Sequence, residues 1–197
     1  EDLPPECGLK PEGYRLSERQ AREILDMRLQ RLTALEQDKI LDLLQLETGK
    51  SRAHAVEEFA GALGSARYFA KIADKALSHK KARTGVPVLL KSSVSHVPVG
   101  VVGVIIPWNY PLALAVMDIA PALMAGNTVV HKSDNQTSLV SLFTRQLAIE
   151  AGLPEDAWRI VAGDAATVGN AITDGVDYVA FTGSTATGRV VAQRAAA

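Results

Sequence analysis

Residues 97–111 read VPVGVVGVIIPWNYP, and this stretch decides the fold class. From Val101 to Ile106 it is almost wholly apolar and rich in β-branched side chains, as a strand covered on both faces must be. Pro107, Trp108, Asn109, Tyr110 and Pro111 then stop the strand and set aromatic and polar groups at its C-terminal end. Ligands of open α/β sheets bind at that end of the strands. Asn109 offers a neutral N–H donor that does not titrate, which suits an oxyanion site; it also reads as a cap for the helix that follows.

Downstream of this stretch the pattern alternates. Strands are predicted at 101–106, 128–131, 159–161 and 178–182, with helices at about 112–125, 138–150, 165–172 and 186–195. Gly126 and Gly152 stand where helix C-termini place glycine. Strand, helix, strand, helix marks a parallel sheet with right-handed crossovers, so the expected class is α/β, a Rossmann-like parallel sheet with flanking helices.

Upstream, residues 1–14 are rich in Pro and Gly and are expected to be loosely ordered. Ser17 and Gln20 form a capping-box pattern that opens a helical region over 15–80. Its apolar face carries Ile24, Leu25, Leu29 and Leu32, then Ile40, Leu41 and Leu44, and Gly49 is placed to end it. A long helix over 51–77 follows, with Val56, Phe59, Ala60, Leu63, Ala66, Phe69, Ala70 and Ala73 as its core positions. After a basic run, 86–90 and 94–99 read as two short strands, a ribbon over 86–99 able to pair with another subunit.

Composition narrows the function classes. A chain of 197 residues that is 47% hydrophobic buries a core, and a net charge of −1 gives no pull toward nucleic acid or membrane. The longest apolar run, near 112–125, contains Asp118 and Pro121 and is too short to span a bilayer. Cys7 is the single cysteine, which excludes an internal disulfide and a Cys-based metal cluster and fits a reducing, cytoplasmic setting. His54, His79, His96 and His131 lack metal-ligand spacing, so no metal is expected and all four read as structural or surface residues.

Every polar candidate falls at the C-terminal end of a predicted strand. Strand 101–106 delivers Trp108 and Asn109; strand 128–131 delivers Lys132, Ser133, Asp134 and Asn135; strand 159–161 delivers Gly163; strand 178–182 delivers Gly183, Ser184 and Thr185. The segment 183–188, GSTATG, offers backbone N–H groups and hydroxyls to a phosphate at a helix N-terminus, or alternatively an ordinary N-cap. A triphosphate-binding loop would need Lys and Ser/Thr after its last glycine; Arg189 and Val190 stand there instead. Lys132 reads either as a ligand for ribose hydroxyls or phosphate, or as a surface lysine.

PWNYP, APALMAGNTVVHKSDNQT, EAGLPEDAWRIVAGD and VAFTGSTATGR occur in this order from about Leu46 to the end, and in this they resemble the N-terminal, cofactor-binding half of the aldehyde dehydrogenase superfamily. ITDGVDYVAFTGSTATGR and KSDNQT look most similar to its NADP-linked succinate-semialdehyde dehydrogenases. The resemblance implies that Asn109 donates to the oxyanion of a thiohemiacetal. It implies that Ile105, Ile106 and Trp108 line the cofactor cleft and that Lys132 reaches the adenosine ribose. Ser184, with Gly183 and Thr185, would hold the pyrophosphate; Gly163 would admit the adenine end, and Phe181 and Thr187 would pack near the cofactor.

Two departures qualify the resemblance. The family's usual KPxE becomes Lys132-Ser133-Asp134-Asn135. A Glu there would take ribose hydroxyls and repel a 2′-phosphate; Asn135 removes that repulsion, so NADP is expected over NAD, with NAD possible. The family's general-base Glu and nucleophilic Cys lie downstream of GSTxxG, beyond Ala197, and Cys7 lacks the nucleophile's context. The resemblance therefore implies a truncated fold, an incomplete cofactor-binding domain over 1–197 without the catalytic domain and inactive alone. Its parent would be a homo-oligomer acting on a small aldehyde. The alternative is a non-catalytic dinucleotide-binding or interaction module.

Overall fold

The computed structural model describes the backbone of residues 8–10 and 13–15 and the chain over 34–86 and 89–197. Cys7, the capping box at Ser17 and Gln20, and the face formed by Ile24, Leu25, Leu29 and Leu32 lie outside the described residues. Within the stretch expected to be loosely ordered, β1 (Gly8–Lys10) and β2 (Gly13–Arg15) pair antiparallel.

Two helices follow. Helix α1 (Ala34–Thr48) buries Ile40, Leu41 and Leu44, as its periodicity predicts, and ends at Gly49, whose φ of 71° favours a residue without Cβ. Helix α2 (Arg52–Leu77) is capped by Ser51, whose hydroxyl accepts from the His54 N–H. Its buried stripe is Ala55, Glu58, Phe59, Ala62 and Ala66; it keeps Phe59 and Ala66 of the predicted face, and Leu63 and Ala70 are half-buried against it. Val56 and Ala60, expected in the core, are exposed. Alanines spaced along one face let a neighbouring helix approach closely, and that approach sets the rotation of α2.

The ribbon is built differently from the prediction. Strand β3 (Lys80–Ala82) pairs antiparallel with β4 (Ser92–Val94). The predicted strands at 86–90 and 94–99 contain Pro87 and Pro98, which have no N–H for a ladder, and the pairing falls on segments free of proline.

The main sheet is parallel, with strand order β7-β6-β5-β8: β5 (Val101–Ile105), β6 (Thr128–Lys132), β7 (Trp158–Val161) and β8 (Tyr178–Phe181). Between them run α3 (Pro111–Met124), α4 (Ser138–Glu150) and α5 (Asn170–Gly175), and α6 (Thr185–Ala195) follows β8. Alternation along β5 distributes the layers. Val102 and Val104 pack with Ala115, Ile119 and Leu123 of α3, while a Cβ at Gly103 would run into Ile172 of α5. Helices therefore cover both faces.

Helix α3 explains the apolar run. One side joins the sheet core; the other, through Leu112 and Val116, joins α1, α2 and α4 around Ile40, Leu44 and Phe59. No helix among the described residues is long and apolar enough to cross a membrane. The predicted helix at 165–172 is instead a π turn, Ala165–Gly169, running into α5. Asp164 caps the turn by accepting from the Thr167 N–H at 2.7 Å, and this bond holds its carboxyl below the usual carboxylate range.

Candidate functional site

The chain leaves β5 to lay β6 and β7 on one side, then returns to place β8 on the other. Connections from β5 and β8 therefore diverge, opening a crevice at a topological switch point. The cleft there has a volume of about 460 Å³ and is lined by residues 107–110, Leu114 and residues 182–184. It brings Trp108 and Asn109 together with Gly183 and Ser184, residues 75 positions apart or so in the chain. A larger hollow, about 790 Å³, is lined by residues of the β3–β4 ribbon and by none from the sheet's strand ends.

Asn109 is exposed at this cleft. It does not cap α3: the N-cap is Tyr110, with no side-chain cap bond, and Pro111 occupies the first turn. No hydrogen bond commits its side-chain amide among the described residues. Ile105 and Ile106, expected to line the cofactor cleft partly through backbone groups, are not among the residues around this hollow. The Ile105 carbonyl accepts from the Thr182 N–H at 2.9 Å and ties the two strand ends together, and Ile106 is buried in the sheet core.

Beyond β8, the Phe181 ring lies under the loop, where a Cβ at Gly183 would strike it and one at Gly188 would touch it. Ser184 is the N-cap of α6: its hydroxyl accepts from the Thr187 N–H at 3.2 Å and lies 2.9 Å from the Thr187 hydroxyl. The Ser184 side chain is thus engaged locally. With the Thr187 N–H taken by the Ser184 hydroxyl, the first-turn donors left for an anion among the described residues are the Thr185 and Ala186 N–H groups.

The ends of β6 and β7 form a second cluster. Lys132 is not past the strand, and it is not a surface lysine. It is the last residue of β6, opposite Ile105 and Val161, and only 7% exposed. Its Nζ donates to the Ser133 carbonyl at 3.3 Å and meets no carboxylate among the described residues. Ser133 is buried, with its hydroxyl 3.2 Å from that of Ser138. Asp134 turns onto its own backbone, accepting from the Gln136 N–H at 3.0 Å. The Asn135 Oδ1 accepts from the Gly163 N–H at 3.0 Å, which leaves its Nδ2 as a donor. Gly163 has φ 150°, and a Cβ there would collide with Val168. His131, beside Lys132, is fully buried; desolvation and then the Lys132 charge push its pKa down to about 3, so it is neutral.

Three residues of the helical layer hold these ends in place and were not foreseen. Glu47 of α1 accepts from the Leu139 and Val140 N–H groups at 2.8 Å each, at the start of α4. Glu58 of α2 accepts from the Leu112 and Ala113 N–H groups at 2.8 and 3.2 Å, at the start of α3, and pairs with Lys50. The one signal available was a glutamate on an alanine-rich apolar stripe.

The aldehyde dehydrogenase family profile matches residues 11–197. The chain belongs to the aldehyde dehydrogenase family. Among curated aldehyde dehydrogenase relatives, it is 47% identical over 167 residues to Putative succinate-semialdehyde dehydrogenase, NADP(+), of Mycolicibacterium smegmatis, covering 85% of this chain and 32% of that protein. It is also 47% identical over 156 residues to the protein numbered 2 under the same name in Mycobacterium tuberculosis H37Rv, covering 79% of this chain and 30% of that protein. The chain spans about a third of the length of these relatives. The fold superposes on an NADP-dependent enzyme of E. coli with a TM-score of 0.84, 33% identity, and 92% of this chain against 37% of that one. Betaine aldehyde dehydrogenase of Staphylococcus aureus, solved in complex with NAD+, gives a TM-score of 0.81 at 31% identity over 91% of this chain and 35% of that one.

Proposed function

We propose that this chain is the cofactor-binding part of an NADP-preferring aldehyde dehydrogenase that oxidises succinate semialdehyde or a similar aldehyde to its acid. The observation that carries the reading is the cleft at the switch point, where an uncommitted Asn109 amide faces the start of α6. The β3–β4 ribbon would serve homo-oligomer formation, residues 100–197 cofactor binding. A reducing compartment suits a chain with a single cysteine.

The residues present fit a phosphorylated dinucleotide. Among the described residues the buried Lys132 ammonium has the Ser133 carbonyl as its one hydrogen-bond partner, and an anion or ribose hydroxyl would relieve that deficit. Gly163 and Gly183 stand where a Cβ would strike Val168 and the Phe181 ring, so both loops pack close on their own side chains. The Thr185 and Ala186 N–H groups of α6, with Gly183 and Ser184, would hold the pyrophosphate; Lys132 and the Asn135 Nδ2 would meet the ribose and its phosphate, with Ser133 buried behind them. Asp134 turns one carboxylate oxygen onto the Gln136 N–H of its own turn. Trp108 would flank the nicotinamide end, and Phe181 and Thr187 would support the loop from behind.

NADP, when bound, supplies the acceptor for hydride. The chain's own contribution to the chemistry is Asn109. Its Nδ2 would donate to the oxygen that gains charge when a thiolate adds to the aldehyde, and a fixed neutral donor there lowers the barrier without reorganising. Asn109→Ala in the full-length protein is expected to lower kcat about 100-fold or more while leaving NADP affinity unchanged. Rates with succinate semialdehyde, and titration with NADP and NAD, test the reading; affinity for NAD equal to or above that for NADP overturns the cofactor preference.

A further inference from the structure

We propose that Lys50 and Glu58 are positioning residues for Asn109, aiming the oxyanion donor from the helical layer; this rests on the aldehyde-oxidising reading above. The turn that carries Asn109 lacks a local support, since neither Asn109 nor Tyr110 caps α3 with a side chain. Its support comes from α2 and the link before it. Glu58 Oε1 takes the Leu112 and Ala113 N–H groups, three and four residues beyond Asn109. Glu58 Oε2 pairs with the Lys50 ammonium, and that ammonium donates to the Asn109 carbonyl at 2.9 Å. The same ammonium lies 4.5 Å from the centre of the Tyr110 ring. One ion pair thus grips the turn at Asn109 itself and at the helix start just after it.

The pair is itself immobilised. The Glu58 side chain is 0% exposed and that of Lys50 is 11% exposed. Lys50 sits between Gly49, which ends α1 at positive φ, and Ser51, which caps α2. A cap supplied by Tyr110's own position would satisfy the helix without burying two charges, whose desolvation offsets much of their attraction. What the buried pair adds is a fixed place for the Asn109 backbone, and displacement of a catalytic donor by about 1 Å costs on the order of 100-fold in rate.

The test uses the full-length protein. Lys50→Met combined with Glu58→Gln removes both charges and keeps an amide oxygen for Leu112 and Ala113. It is measured alone and with Asn109→Ala. Alone it is expected to lower kcat for aldehyde oxidation about tenfold, with the Kd for NADP unchanged. On the Asn109→Ala background it is expected to lower kcat no further. Lys50→Arg keeps the ion pair and the fold while its planar fork moves the donor off the point the ammonium occupies, and the same dependence on Asn109 is expected. An unchanged kcat, or equal falls with and without Asn109, overturns the positioning role and leaves the activity standing. A wild-type protein that forms no NADPH from any aldehyde overturns the functional reading and this proposal with it.

Discussion

In the proposed reading, Asn135 occupies the position on which cofactor choice turns. Its Oδ1 is held by the Gly163 N–H, so its outward group is a donor in place of an acceptor or a charge. A carboxylate at this point would face a 2′-phosphate with a repulsion of about 1 kcal/mol in water at 4 Å and about 4 kcal/mol at the effective dielectric of a protein surface. Asn135→Glu is therefore expected to shift the ratio of kcat/KM for NADP over NAD toward NAD by about 10- to 100-fold. Steady-state rates with each cofactor measure it, and an unchanged ratio would place discrimination elsewhere. The identity of Asn135 was legible in the sequence; the direction of its amide was not, because that depends on Gly163 arriving from a different strand.

At the scale of elements, helices α3 and α4 share one device. Neither is capped by its own preceding residue, and each takes a glutamate from the helical layer onto its first N–H groups. The negative charge also lies at the positive end of the helix dipole. Glu47→Ala leaves the Leu139 and Val140 N–H groups without that acceptor and is expected to cost about 1–3 kcal/mol of stability. Denaturant unfolding of the variant against wild type checks it, and Glu47→Gln is expected to recover part of the loss by restoring a neutral acceptor. The sequence showed that helices start near 112 and 138, because hydrophobic periodicity is local. It did not show what caps them, because the partners lie 54 and 92 residues away. The ribbon strands at 80–82 and 92–94 were missed for a related reason: three-residue strands bearing Lys and Ser carry no periodic signal, whereas the apolar 86–90 segment does.

The whole molecule stacks an outer helical layer on α3 and α4, and those helices on the sheet. His131 is buried beneath this stack at β6, with neither ring nitrogen hydrogen-bonded among the described residues. Its pKa is about 3 in the fold against 6.5 ordinarily. Above about pH 6.5 the ring is neutral in both states and adds no pH dependence. Below that, the unfolded chain binds a proton the fold excludes, so stability is lost as pH falls, by about 1.4 kcal/mol per pH unit until about pH 3. Thermal midpoints taken between about pH 7 and about pH 4 are expected to fall more steeply for wild type than for His131→Leu. Parallel curves would mean that the ring is protonated inside the fold.

The sequence by itself determined the α/β class, the positions of the four parallel strands to within a residue or two, and the crowding of polar residues at their C-terminal ends. Those features follow from local apolar patterning and from turn residues, which act over a few positions. The tertiary structure alone decided that β8 lies beside β5, which makes the cleft. It alone buried Lys132, turned Asn135 onto Gly163, and brought Lys50 and Glu58 to the turn of Asn109. Each of these is a contact between chain segments far apart in sequence, and no local pattern encodes such a meeting until packing of α2 against α3, and of β8 against β5, brings the segments together.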